Sequence, residues 1–233
     1  MARGVPAGER QRHREGVTGM TAFIMILYLV CAAADITAVI KKDKKWERIL
    51  KPLLMPLLIV WYLLAAQAPR PLIILALAAG FLGDTFLLGK GVFFVYGLLA
   101  FLAGQIFYIA AFLGDITRGM FAGGLFLAAI FYIGYAGIGC RLVFGELAKK
   151  QKPAVVVYMI CLLGMSFAAL LRFRSVSALS FRMTFAGSLL FVASDSLLAF
   201  RVFIQKSEDN TSPVVMLTYT AAQLLIVTGM AAL

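Results

Sequence analysis

Long apolar runs separated by short polar or basic segments make up most of this chain. The runs are continuous rather than alternating with a period of two, and most approach the roughly 20 residues that a membrane-spanning helix needs. Because a backbone in hydrocarbon must satisfy its own hydrogen bonds, such runs favour helices over a closed barrel. The pattern predicts eight helices: Met20–Ile40, Pro52–Ala66, Pro71–Leu88, Val92–Leu113, Met120–Cys140, Pro153–Leu171, Ser180–Phe203 and Val214–Leu233.

Composition strengthens this interpretation, since 62% of the 233 residues are hydrophobic. A soluble domain of this size does not need so much apolar surface, and the sequence therefore predicts an all-α polytopic membrane protein. Residues 20–233 are predicted to form a single transmembrane domain, one bundle of eight helices. The polar, Arg-rich residues 1–19 are predicted to be a disordered tail. The apolar run that follows is too long for a signal peptide, and we expect it to be retained as the first helix.

Charge predicts the orientation. The formal net charge is +11, but the basic residues lie between apolar runs, which is typical of topology determinants and lipid contacts rather than of a nucleic-acid surface. Of the 22 Lys and Arg residues, thirteen fall on the side that carries the loops after helices 1, 3, 5 and 7, here called side B. The positive-inside rule predicts that side B, with the basic segments 41–51 and 141–152, faces the cytoplasm and that both termini lie on side A. The cell membrane is favoured over the endoplasmic reticulum.

Cysteine and histidine restrict the possible chemistry. Cys31, Cys140 and Cys161 lie in or beside apolar runs and indicate no disulfide framework. The single histidine, His13, lies in the polar tail, which argues against a His-ligated zinc or iron site. The sequence predicts neither a metal nor a cofactor.

Two carboxylates stand inside apolar runs in similar surroundings. Asp84 lies in the stretch 80–88 and Asp195 in the stretch 191–199; each follows a small residue and precedes a hydroxyl residue, with leucines next. A charged side chain at membrane depth costs about 2.5–3.5 kcal/mol on insertion scales, so each is expected to serve a function inside the protein. A polar clamp between helices is the alternative, but Asn or Ser would provide one without burying charge.

The depth of the polar residues predicts a shared site. Asp35, Asp84 and Asp195 each lie shortly before the side-B end of a predicted helix, roughly 7–14 Å below that surface at 1.5 Å per residue. Helices that start from side B carry three further polar residues at similar or shallower depth: Lys51, Tyr158 and Tyr219. Six polar side chains from six helices in one layer predict a polar cavity that opens towards side B.

Several of these motifs together resemble a known family. They are Lys51-Pro52, Gly83-Asp84, the stretch 104–108, the stretch 194–199, and Tyr219 with Gln223. In this order and at these separations the chain resembles the YhhN family of membrane lysoplasmalogenases, over nearly all of its length after the tail.

The resemblance implies hydrolysis of the vinyl ether bond of a lysophospholipid, which releases a fatty aldehyde and glycerophospho-ethanolamine or -choline. Vinyl ethers open by protonation of the carbon β to the oxygen, so the reaction needs one protonated carboxylic acid and one carboxylate that stabilises the cation and orients water. Two carboxyl groups in one cavity of low dielectric satisfy this requirement, because they are not both ionised easily. We expect Asp84 and Asp195 to form this pair, with neither assigned as the acid.

Supporting roles are expected for the remaining polar positions. Side chains that tune the acids, hold water or contact substrate are Asp35, Tyr108, Tyr158, Ser194, Tyr219 and Gln223. The family pattern leads us to expect His where this chain has Gln105; Gln does not carry a proton at neutral pH, which leaves a hydrogen bond to substrate as its role. Lys51 is expected at the side-B interface, where binding of a phosphate headgroup and ordinary snorkelling remain open alternatives.

Two other classes use buried carboxylates. An intramembrane aspartyl protease would need Gly-x-Gly-Asp, and this chain has Phe81 in place of the first glycine. A proton-coupled transporter more often has helices broken by Gly or Pro near the midplane, and the predicted helices 3 and 7 are continuous.

Overall fold

The computed structural model describes residues 7–89, 91–117, 122–147, 149, 151–207 and 212–233. Within these ranges the chain forms α-helices and no strand, so the predicted all-α class is confirmed. The helices are α1 (Ala7–Ile40), α2 (Lys44–Ala65), α3 (Pro71–Leu87), α4 (Val92–Leu113), α5 (Ala122–Val143), α6 (Lys152–Leu171), α7 (Ala178–Ala199) and α8 (Pro213–Ala231).

The first helix starts well before the predicted position. α1 begins at Ala7 rather than Met20, so residues 7–19 are helical where the sequence predicted a disordered tail; residues 1–6 lie outside the described ranges. Residues 9–15 are mostly Glu, Gln and Arg, whose straight side chains lose little freedom in a helix. Their polarity led to the prediction of a disordered tail, although their helix propensity is high.

The second helix also starts earlier than the sequence predicted, because an N-cap at Asp43 begins it. The Asp43 carboxylate accepts hydrogen bonds from the backbone N–H groups of Lys45 and Trp46, at 3.1 and 3.3 Å. This N-cap starts α2 at Lys44, eight residues before the predicted start at Pro52, which lies inside the helix. Eight of the eleven residues of the predicted basic loop, 44–51, are therefore helical, and Lys51 lies about 10 Å along the helix axis from its start.

The other boundaries agree more closely. α4 has the predicted bounds, and α3, α6 and α8 differ by no more than two residues at either end. α5 ends three residues later than predicted, and its predicted start at Met120 lies outside the described residues. α7 starts two residues early and ends at Ala199, after which the chain continues as one π-helical turn, Phe200–Ile204.

The helices form a ring with one helix outside it. Contacts run from α1 through α2, α3, α4, α6, α7 and α8 and back to α1, while α5 packs mainly on α6 and touches the π-helical turn. α7 and α8 pack most extensively, and Gly187 permits their close approach, since a Cβ at that position would lie 2.8 Å from the Ala222 carbonyl oxygen. This ring surrounds the polar side chains that the sequence singled out.

The apolar helices identify an integral membrane protein. Among the described residues, seven helices are long and apolar enough to cross a membrane. The remaining helix, α3, has 17 residues, which at 1.5 Å per residue is about 25 Å, slightly less than a typical hydrocarbon core.

Contacts between loops show that the helices alternate in direction. The segments that follow α5 and α7 meet in an exposed ion pair between Glu146 and Lys206, at 3.1 Å. At the opposite end, Arg70 before α3, Asp115 after α4 and Arg172 after α6 come together. The first end is side B and the second is side A.

The cluster on side A is buried and charged, which the sequence did not suggest. Arg172 is fully buried; its Nε donates to the Asp115 Oδ2 at 2.9 Å, and Arg70 pairs with the other carboxylate oxygen. An Arg172 Nη donates to the Ser180 hydroxyl at 3.0 Å, and the guanidinium lies over the Phe112 ring. Burial lowers the pKa of Arg172, and the nearby Asp115 carboxylate opposes that shift. The cluster ties α3, α4, α6 and α7 together.

Candidate active site

The polar side chains predicted to share one layer lie near side B. Measured from the helix ends, they are three to nine residues deep, about 4–14 Å. Asp84 is the shallowest, three residues before the end of α3, and Asp195 the deepest, because the π-helical turn extends its helix to Ile204. Four of them, together with Ser194, line a small cavity of about 20 Å³: Lys51, Asp84, Asp195 and Tyr219.

Asp84 is held by α2 and α8. Its side chain is 1% exposed, and the Tyr219 hydroxyl donates to its Oδ2 at 3.1 Å. Lys51 of α2 lines the same small cavity as Asp84. Asp84 therefore has a cation and a hydroxyl donor as neighbours.

Lys51 does not lie where the sequence put it. It was expected at the interface, yet its side chain is 3% exposed and lines the cavity with the two aspartates. The reason is the early start of α2, which moves Lys51 one to two turns into the bundle. The side chain is therefore buried beside the two aspartates and does not extend to the membrane surface.

Asp195 has a different set of neighbours. The Tyr158 hydroxyl donates to its Oδ2 at 2.5 Å, and Gln105 Nε2 donates to the same oxygen at 3.3 Å. Both donors are neutral, in contrast to the cation beside Asp84. Asp195 is also partly exposed, towards a cavity, whereas Asp84 is buried.

The other predicted residues surround this pair. Deeper in the bundle, the Tyr108 hydroxyl donates to Gln223 Oε1 at 2.6 Å, and both side chains are buried. The Ser194 hydroxyl lines the small cavity but donates to the Val215 carbonyl oxygen of α8, at 3.1 Å. Asp35 is fully buried, and neither of its carboxyl oxygens has a hydrogen-bond partner among the described residues.

A second, larger cavity lies on the other side of Asp195. It measures about 310 Å³ and is bounded by α4, α5, α6, α7 and the π-helical turn. Its walls are almost entirely apolar, apart from a few groups that include Asp195 and Tyr158. Asp195 and Leu198 line both cavities, so Asp195 stands where a polar and an apolar compartment meet. Sequence analysis missed this cavity, because apolar residues that face a cavity and those that face lipid have the same pattern.

The described side chains around the two carboxyl groups do not form a metal site. Within the described part of the chain, no three side chains of the types His, Cys, Asp and Glu come together in a way that could hold a metal ion. The side chain of His13 lies outside the residues whose side chains are described.

Comparison with known proteins gives one result. The family model described as the YhhN family matches residues 46–230, which is most of the chain. The match begins in the first turn of α2 and runs through α8, so it includes every residue of the small cavity. No curated protein and no solved structure gave a significant match.

Proposed function

Because the chain belongs to the YhhN family, a family associated with lysoplasmalogenase activity, we propose that it hydrolyses the vinyl ether bond of lysoplasmalogens to a fatty aldehyde and a glycerophospho-ethanolamine or -choline. The observation that carries the proposal is the position of Asp195, which lines both a polar cavity containing Asp84 and Lys51 and a large apolar cavity. A lipid whose acid-sensitive bond joins a hydrocarbon chain to a polar head would place that bond at Asp195, with the chain in the apolar cavity and a water molecule in the small polar one.

The reaction proceeds by proton transfer and addition of water. A carboxylic acid protonates the vinyl carbon β to the ether oxygen, and the π electrons of the double bond form the new C–H bond. The adjacent carbon becomes an oxocarbenium ion. Water adds to that carbon and loses a proton to the carboxylate, and the resulting hemiacetal collapses to the aldehyde and the glycerol hydroxyl. Two carboxyl groups in different protonation states are sufficient for these steps.

The two environments support a division of roles. Asp84, which lines the same cavity as Lys51 and accepts a hydrogen bond from the Tyr219 hydroxyl, is assigned the role of stabilising the oxocarbenium ion and orienting water. Asp195, with the neutral donors Tyr158 and Gln105, is suited to carry the proton. It also borders the apolar cavity, and the carbon that accepts the proton belongs to the hydrocarbon chain.

The remaining polar residues support the pair. Gln105 orients the Asp195 carboxyl by its hydrogen bond, a role that needs no proton transfer. The buried Tyr108–Gln223 pair closes the polar region from below. Asp35 shares the positive charge of Lys51 with Asp84, and Ser194 fixes α7 against α8 beside Asp195.

Assays of purified protein separate this proposal from its rivals. Release of aldehyde from a lysoplasmalogen is expected, with no cleavage of peptide substrates and no proton-coupled uptake in liposomes. The protease would need a glycine at position 81, which is phenylalanine. A transporter gains some support from the π-helical turn that follows α7, although α3 and α7 run through the site without a break.

We further propose that α3 completes eight membrane crossings with side B in the cytoplasm. α2 ends on side A and α4 begins on side B, so the helix between them has to cross. In a background where the native cysteines are alanine, Lys44→Cys is expected to react with an impermeant maleimide only after cells are permeabilised. Thr117→Cys, exposed on side A, should react in intact cells. The reverse pattern would contradict the orientation.

Activity is expected to survive chelation. The mechanism uses carboxyl groups alone, so aldehyde release after treatment with EDTA and gel filtration should equal that of untreated protein. The matched comparison is protein dialysed without chelator. Loss of activity that a divalent cation restores would contradict the proton-transfer mechanism.

A further inference from the structure

The large apolar cavity ends at reactive polar groups, which distinguishes it from an ordinary crevice on a lipid-facing surface. At its inner end lie Asp195 and Tyr158, and beside them the Tyr135 hydroxyl is hydrogen-bonded to the Ser196 hydroxyl at 2.7 Å. Along α7 and the π-helical turn the lining extends from Asp195 to Ile204, about 13 Å. The cavity is therefore elongated, apolar along its length, and polar at one end.

One wall of this cavity is loosely attached. α5 and α4 follow one another in the chain but share almost no contact within the described residues, and α5 packs mainly on α6. Two hydroxyl pairs fasten it to its neighbours, Tyr132 with Ser166 and Tyr135 with Ser196. Most of the large apolar side chains of α5 face outward, as expected in lipid. Because α4 and α5 make so few contacts, we expect a hydrocarbon chain to enter the cavity sideways between them.

We propose that this cavity binds the single hydrocarbon chain of the lysophospholipid substrate, with the first carbons of the chain at Asp195 and the remainder between α4, α5, α6 and α7. The inference rests on the proposed function and adds to it the site that selects the chain. The scissile bond then lies beside Asp195, and the small polar compartment on the Lys51 side, which has room for about one water molecule, holds the water that adds to the cationic carbon. This order along the substrate brings the protonated carbon to Asp195 and the cationic carbon towards Asp84.

The position of Asp195 favours a lipid with one hydrocarbon chain over a lipid with two. The apolar cavity ends at one carboxyl group, Asp195, so one hydrocarbon chain in the cavity brings one ether linkage to that group. A phospholipid with two chains would bring a second chain to the same end of the cavity, whereas a lysolipid brings one. Burial of the chain against apolar walls supplies affinity in proportion to the methylene groups removed from water.

Two glycines of α5 provide a matched test. Gly139 lines the cavity, and a Cβ there would lie 3.5 Å from the Met159 sulfur of α6. Gly137, two residues earlier, faces outward, and a Cβ there would meet no atom within 4 Å. Gly139→Leu therefore adds an isobutyl group to the cavity, and Gly137→Leu adds the same group to the lipid face, with the same gain in helix propensity.

Chain-length selectivity is the measurement. The ratio of kcat/KM for a long-chain lysoplasmalogen to that for one with about half the chain carbons is expected to fall about tenfold or more in Gly139→Leu, since apolar pockets discriminate on this scale. The Gly137→Leu ratio should equal that of the wild type. Equal ratios in all three proteins, with normal melting temperatures, would overturn the proposal.

A second experiment does not depend on turnover. The probe is a lysophosphatidylcholine with a saturated alkyl ether chain, which the enzyme cannot hydrolyse, and a diazirine at the chain end. Adducts are expected on peptides that line the cavity, around Met159 and Phe144, and should decrease when unlabelled lysophospholipid competes. Adducts on outward-facing residues such as Phe131, or adducts insensitive to competitor, would overturn the proposal. Cavity adducts without any aldehyde release would instead refute the proposed reaction and leave the chain site standing.

Discussion

Asp84→Asn and Asp195→Asn are each expected to reduce aldehyde release by about 10²–10⁴-fold, the usual contribution of general acid–base catalysis, while the protein remains folded. Asn retains the size of Asp and part of its hydrogen bonding, but it neither donates a catalytic proton nor balances a cation. Tyr219 and Tyr158 keep an oxygen acceptor in the respective variants. Asp195 has only neutral donors, so Asp195→Asn removes a desolvation cost and should leave the melting temperature unchanged or higher. Asp84→Asn leaves the buried Lys51 without this neighbouring carboxyl group, and its melting temperature should fall.

Asp43→Asn is the matched control for these substitutions. Asp43 is exposed and caps α2 by accepting backbone hydrogen bonds, a function that Asn performs about as well. The same change of side chain outside the site should leave both activity and melting temperature near wild-type values. Aldehyde release and detergent-solubilised melting are measured together for each protein.

The double variant distinguishes one catalytic unit from two independent contributions. If the two carboxyl groups act in the same step, Asp84→Asn with Asp195→Asn should be no less active than either single variant, because residues that act as a unit are not additive. If they form only a structural clamp, the melting temperature should fall in each single variant and activity should follow the folded fraction. Substantial turnover by a well-folded single variant would remove that residue from the mechanism.

The helices and the candidate carboxylates could be predicted from the sequence because each is indicated by a short, continuous stretch of residues. A long apolar run predicts a membrane helix, and a carboxylate inside such a run is rare and therefore indicates a functional residue. The approximate depth of Asp84 and Asp195 followed from counting residues to the nearest polar loop. The bounds of α4 were correct for the same reason, since glycines and polar residues flank its apolar run on both sides.

The burial of Lys51 could not be predicted from the basic character of its neighbours in sequence. Its neighbours in sequence are basic, and the run was therefore assigned to a loop. A single side-chain cap at Asp43 overrides that pattern and turns the loop into two helical turns. Because each residue in a helix advances only 1.5 Å, the cap changes Lys51 from a surface cation into one that faces two buried carboxyl groups.

The apolar cavity and the charged cluster depend on which helices become neighbours. In the ring, α4 contacts α6 rather than the α5 that follows it, and this displacement creates the cavity. Asp115 and Arg172 are 57 residues apart in sequence and were assigned to separate polar loops. Only the order of helices around the ring brings them together, and no single segment encodes that order.

Asp115→Leu is expected to destabilise the protein by about 3–5 kcal/mol, because it leaves Arg172 buried without its carboxylate. Arg172 is 0% exposed and has no route to water, whereas the side chain of Arg70 is 38% exposed and can be solvated when its partner is removed. The cost should therefore arise almost entirely from Arg172. Denaturant unfolding in detergent micelles gives the free energy of each variant.

Adding Arg172→Met should recover most of that loss, since replacing a buried ion pair with apolar residues of similar volume is often neutral or stabilising. Glu146→Gln, which breaks the exposed pair with Lys206, is the control and should change stability by about 1 kcal/mol or less. Arg172 contacts Ser180, which lies fifteen residues before Asp195 on α7, about 22 Å along the helix axis. Because the cluster is this far from the site, kcat per folded molecule should stay at the wild-type value. A small effect of Asp115→Leu, or a double variant as unstable as the single one, would show that the cluster does not hold α3, α4, α6 and α7 together.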